Sequence, residues 1–126
     1  YGSTWEGDVV IRNCRWIPAG GRTTRPYMVY THNDGMHDFG YPCYMPKEIT
    51  IDGLFVDDSN HPEDYQGLYF FSDPDGGKDV PQAERPFPYE FCRTLRVRGL
   101  TTASGKTPRV SPNGHIEKSV RLIETQ

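Results

Sequence analysis

Apolar and polar residues alternate in short stretches along this chain, and the 3.6-residue period of an amphipathic helix is never sustained. Val9-Val10-Ile11, Ile49-Thr50-Ile51 and Leu95-Arg96-Val97 are the clearest cases. β-Branched and aromatic residues gather in such stretches, which predicts strands over 8–17, 27–31, 41–45, 48–56, 67–72, 89–92 and 94–101. A last strand is expected over 119–124; a helical turn fits there equally, because Val120, Leu122 and Ile123 suit either. The intervening segments carry turn chemistry: Pro18-Ala19-Gly20-Gly21, Asn33-Asp34-Gly35, Asp57 to Pro62 and Asp73-Pro74-Asp75-Gly76-Gly77.

The alternation repeats. Val9-Val10-Ile11-Arg12-Asn13-Cys14 aligns with Ile49-Thr50-Ile51-Asp52-Gly53-Leu54 and with Leu95-Arg96-Val97-Arg98-Gly99-Leu100. Each column keeps its type: apolar, variable, apolar, charged, Asn or Gly, apolar. The first offset, about forty residues, also sets Met28 on Leu68 and Tyr30 on Phe70; the second sets Tyr41-Pro42 on Phe87-Pro88. Asn13, Gly53 and Gly99 are expected to stack at a corner that needs a left-handed or bridging backbone. A propeller blade would have four antiparallel strands joined by hairpins. Three strands per unit with long connections instead favour a solenoid, in which each residue packs on its counterpart one turn away. The expected fold is therefore all-β, a single domain over 1–126, a parallel β-helix of about two full coils plus a partial one.

Three segments resemble rungs of the right-handed parallel β-helix proteins, the pectin lyase-like superfamily: residues 11–17, 49–58 and 95–102. They share its apolar-x-apolar-x-Asn/Gly-apolar rung, and the resemblance covers most of residues 8–102. Members of that superfamily mostly cleave or bind polysaccharides, as lyases or glycoside hydrolases; others are adhesins, phage tailspikes or structural segments. The resemblance implies a glycan partner and a secreted or periplasmic location. Solenoids generally need three or more repeats, so a segment of a longer chain or a self-associating protomer is expected.

Composition narrows the field further. The 126 residues include 13 Gly and 11 Pro, and aromatics make up 13%. No apolar run is long enough to span a membrane as a helix. The formal net charge is −3, with no clustered basic stretch, which argues against a nucleic-acid groove. No initiator Met and no basic or apolar leader regions occur over 1–10, so a missing leader or a longer parent is expected. Three cysteines, Cys14, Cys43 and Cys92, form no Cys-x-x-Cys pair and read as buried thiols. Phosphate loops, nucleophile elbows, dinucleotide fingerprints and His-Glu-x-x-His are absent from the sequence.

Candidate chemistry lies in polar loops. His32, Asp34, His37 and Asp38 follow one strand closely, and Asp73 and Asp75 occupy the corresponding loop one unit on. Converging carboxylates suit glycosidic cleavage, which needs a pair roughly 5 to 9.5 Å apart; the same residues are also ordinary turn formers. The loop Asp57-Asp58-Ser59-Asn60-His61-Pro62-Glu63-Asp64 offers four carboxylates, either as oxygen ligands for Ca²⁺ or as a solvated surface. Lys47 stacks on Arg93 as a basic pair that could neutralise a uronate. Tyrosines and tryptophans would stack on sugar rings where exposed; Tyr30 on Phe70 and Tyr41 on Phe87 read as internal ladders. Two functions follow: a carbohydrate-active segment of lyase or hydrolase type, or a non-catalytic structural or glycan-binding module.

Overall fold

A computed structural model describes residues 7–30, 46–73 and 92–125. The elements are β1 (Val9–Trp16), β2 (Tyr27–Val29), β3 (Glu48–Val56), β4 (Tyr69–Phe71), β5 (Thr94–Thr102), α1 (Gly114–Ser119) and β6 (Arg121–Thr125). Strands β1, β3, β5 and β6 form a four-stranded parallel sheet in that order, and β2 pairs with β4 in a second parallel sheet. In the larger sheet Val9 lies beside Ile49, Ile49 beside Leu95, and Leu95 beside Leu122. For the first three strands this is the register expected from the aligned columns.

The inner face of that sheet builds the core. Ile49, Ile51, Leu54, Val56, Leu95 and Val97 are buried and meet Leu68, Phe70 and Phe71 from the second sheet. Each fully buried aliphatic or aromatic side chain contributes roughly 1.5–3 kcal/mol. Inward positions in β3 are 49 and 51, then 54 and 56, so the alternation slips by one residue at Gly53. The slip has a backbone cause. Asn13, Gly53 and Gly99 adopt φ of +55°, +81° and +66°, turning the chain into the left-handed region at the same level in three neighbouring strands. They pack closely as well: a Cβ on Gly53 would lie 3.1 Å from Asn13 Oδ1. On the outer face the charged column pairs Arg12 with Asp52 at 3.4 Å, and Arg96 bonds Glu48.

Several expectations are corrected here. The right-handed parallel β-helix of about two coils and a part is replaced by two small parallel sheets of unequal size. A uniform coil would place a strand of the second sheet under every strand of the first. Instead, the segment after β5 lays only a short stretch, Arg109 and Val110, beside β4, with Pro108 and Pro112 on either side: Arg109 N donates to Leu68 O at 2.9 Å, and the amides of Phe70 and Phe71 donate to Arg109 O and Val110 O at 2.8 and 2.9 Å. The fourth strand then arrives after only 27 residues, from Leu95 to Leu122, by way of α1. The second sheet is also registered differently. Tyr27 pairs with Tyr69 and Val29 with Phe71, so Met28 sits beside Phe70 rather than Leu68. A shift of two keeps the same face inward, so the strand pattern survived the error. Tyr30 lies beyond the end of β2 and is 62% exposed, not part of an internal ladder.

Helix α1 was not expected over 114–119. Asn113 caps it: its Oδ1 accepts from the backbone amides of His115 (3.0 Å) and Ile116 (3.2 Å). Ile116 is buried by the helix, and Val120 ends it in extended conformation, which starts β6. The thiols divide as well. Cys92 is buried, and burial pushes its pKa up to about 12, whereas Cys14 is exposed at the edge strand β1. The predicted strand over 41–45, residues 89–91 of the strand predicted over 89–92, the thiol of Cys43 and the Tyr41–Phe87 ladder lie outside the described residues, and Cys92 itself is not in a strand. Among the described residues no helix is long and apolar enough to cross a membrane.

Candidate functional site

The loops that leave β1, β3 and β5 emerge at the same end of the larger sheet, because the three strands are parallel and in register. Beside the last of them lies an open cavity of about 590 Å³. Thr125 pairs with Arg98, so β5 continues from Gly99 to Thr102 without a neighbour on that side among the described residues. The apolar part of the wall is Phe70, Val97, Leu100 and Pro108; the polar part comes from Thr101, Thr102, Thr107 and Thr125.

Two charged residues complete the lining, Lys106 and Glu124. Glu124 stands beside Val97, in the column that holds Ile11 and Ile51 further along the sheet. Glu124 is exposed, so solvent reaches its carboxylate although it stands in an otherwise apolar column. Neither side chain forms an ion pair among the described residues. The cavity therefore offers one acceptor group and one donor group with their charge available.

Behind one wall lies a buried polar cluster. Asp58, in the loop after β3, is 1% exposed, and both of its oxygens are occupied. Oδ1 accepts from the Ser104 amide at 2.8 Å; Oδ2 accepts from the Ser104 hydroxyl at 2.6 Å and the Tyr65 hydroxyl at 2.8 Å. Burial alone would raise its pKa, but the donors from Ser104 and Tyr65 outweigh it and hold the carboxyl below its ordinary value. The same contact and the burial push the Tyr65 phenol well above its ordinary value. His61 stacks on Tyr65, with centroids 3.8 Å apart and planes 7° apart. Its Nε2 is sealed from solvent without a hydrogen-bond partner, as is Nε2 of His115. The residue before Asp58, Asp57, accepts from the amide and hydroxyl of Ser59, and its carbonyl takes the hydroxyl of buried Thr24.

An aromatic row marks the second sheet. Tyr27 is registered with Tyr69, Arg109 lies over the Tyr69 ring at 4.6 Å, and Tyr27 contacts exposed Tyr30 with centroids 5.6 Å apart.

Among the residues singled out from the sequence, His32, Asp34, His37, Asp38 and Asp75 lie outside the described residues. Asp73 is described, exposed, and accepts from Asn113 Nδ2 at 3.0 Å. Lys47 and Arg93 are adjacent and exposed, with Lys47 O accepting from the Arg93 amide at 2.9 Å. The loop over 57–64 is not uniformly solvated. Asp58 is its buried anchor, and a carboxylate already holding three donors has little capacity left for Ca²⁺. Among the described residues no three of His, Cys, Asp and Glu gather to hold a metal. Sequence reasoning passed over Lys106 and Glu124. Extending the apolar columns to 122–125 would have exposed Glu124 as the one carboxylate among Ile and Val.

No protein-family description, curated protein or solved structure matches the chain.

Proposed function

We propose that this chain is a carbohydrate-binding segment of a secreted polysaccharide-active protein, and that it holds a saccharide in the open cavity beside the C-terminal half of β5. The observation that carries the reading is the cavity's composition: an apolar wall of Phe70, Val97 and Leu100 facing Lys106 and Glu124, whose charges are not spent on an ion pair. A sugar ring presents the complementary surface, with C–H groups on its faces and hydroxyls around its edge that both donate and accept. The volume of about 590 Å³ falls within the roughly 300–1,000 Å³ usual for small-ligand sites. The rung pattern at 11–17, 49–58 and 95–102, with its likeness to the pectin lyase-like superfamily, supports the choice of saccharide as the ligand class.

Binding is favoured over cleavage as the role of this cavity, since Glu124 is the one carboxylate lining it among the described residues and glycosidic cleavage employs two. The test is calorimetric titration with one acidic and one neutral oligosaccharide, trigalacturonate and cellotriose. At least one should bind, and Glu124→Gln and Lys106→Met should each weaken it about ten-fold, the effect of losing one charge-assisted hydrogen bond. Failure of both sugars to bind, or unchanged affinity in both variants, removes this reading. Release of reducing ends or unsaturated products would replace binding with catalysis.

A further inference from the structure

One wall of the cavity is a loop, Gly105 to Pro108, that runs on from Ser104. The hydrogen bonds around Ser104 form a relay. Its hydroxyl donates to Asp58 Oδ2 at 2.6 Å, and the same oxygen accepts from the Lys106 amide at 3.2 Å. Its own amide donates to Asp58 Oδ1 at 2.8 Å. We infer that Asp58 is the positioning residue of the cavity: through Ser104 it sets the backbone of Lys106 and so the wall that faces the ligand. The inference rests on the binding role given to the cavity above, while the tether itself stands on the geometry alone.

The other attachments of this loop lie at its two ends or within its own turn, the far end being held by Arg109, whose amide donates to Leu68 O at 2.9 Å and whose carbonyl accepts from the Phe70 amide at 2.8 Å. Ala103 donates to Val56 O at 3.0 Å, which secures the loop's start, and Gly105 donates to Thr102 O at 3.3 Å within the loop's own turn. The Thr102 hydroxyl reaches Lys106 O at 3.3 Å. All of these are neutral pairs, as is the Lys106 amide bond to the Ser104 hydroxyl, but Ser104 itself is fixed by two bonds to an ionised acceptor, which roughly doubles the strength of each. Asp58 also belongs to a different segment, the loop after β3, and there it is held by Tyr65 with His61 stacked behind the phenol. Close packing assists. Gly67 takes φ of +113° and approaches so near that a Cβ there would lie 3.2 Å from Lys106 Cβ. Cavity wall and β3 loop thus meet at one buried carboxylate.

The experiment compares wild type with Ser104→Ala, Ser104→Thr and Asp58→Asn by amide hydrogen exchange, and by titration with trigalacturonate and cellotriose. Ser104→Ala keeps the buried carboxylate and breaks the relay. It should raise exchange at the Lys106 amide about ten-fold, leave the β3 and β5 amides protected, and weaken the bound sugar about ten-fold. Ser104→Thr retains the hydroxyl and should restore both readouts; Asp58→Asn should match Ser104→Ala wherever it folds. Unchanged exchange at Lys106 in Ser104→Ala overturns the tether. Faster exchange with undiminished affinity in a protein that binds sugar overturns the positioning role. If wild type binds neither sugar, the saccharide reading fails, and the exchange result alone decides whether Asp58 sets the wall.

Discussion

A carboxylate sealed from water persists as an anion only where donors replace the lost solvent, and Asp58 has three of them. Its pKa is lowered on folding, so the sign of its contribution to stability is fixed. That contribution is complete above the ordinary carboxylate range and is lost as pH falls through the depressed folded value. Urea unfolding of the wild type should therefore show a declining midpoint below about pH 4. Asp58→Asn should be less stable at neutral pH, by about 1–3 kcal/mol, and should lose part of that acid dependence. An unchanged acid limb in the variant would mean that other carboxylates carry it. The sequence did not reveal this residue. Asp58 sits among Asp57, Ser59 and Asn60 and reads as one more solvated turn residue, because its principal donor, Ser104, lies 46 positions away. Nothing local records such a partner.

Strands β3 and β5 are defined by a fault in their own alternation. In each, the left-handed residue at 53 or 99 turns the chain so that inward positions fall three apart, and with Asn13 of β1 the three left-handed residues are stacked. The cost of substitution should depend on this stacking as well as on φ. Gly20 also has positive φ, +62°, but a Cβ there would meet nothing within 4 Å. Gly20→Ala should lose about 1 kcal/mol, the left-handed penalty alone. Gly53→Ala should lose more, about 2–3 kcal/mol, because its Cβ also presses on Asn13. Equal losses in chemical denaturation would show that the corner is loosely packed. This much was legible from the sequence: the bounds of β3, the columns joining β1, β3 and β5, and the corner residues all follow from repeated residue types. Helix α1 was not, since six residues carry too little periodicity and its one local signal was the capping Asn113. Nor was the register of β2 with β4, where three-residue strands rich in Tyr and Phe fit at either of two even offsets.

At the scale of the molecule, the same columns recur while the chain between them varies. The path from Val9 to Ile49 is 40 residues, from Ile49 to Leu95 it is 46, and from Leu95 to Leu122 only 27. Yet all four strands meet in one sheet, side by side and in phase. The register is held by side chains stacking on their counterparts, and the connections simply span the gap. Loop closure entropy grows only slowly with length, so this separation of duties is inexpensive. Three extra residues, Gly-Ser-Gly, placed between Gly20 and Gly21, where neither glycine has a neighbour within 4 Å of a Cβ, should lower stability by about 1 kcal/mol or less. The amide exchange pattern of β1 and β3 should stay as it was; a slipped or melted β1 would show that loop length does help set the register. The larger consequence concerns change over time. A sheet that keeps its phase whatever length of chain joins its strands leaves the loops at one end free to be lengthened, shortened or exchanged. Recognition surfaces could then diversify there while the strands beneath them stay as they are.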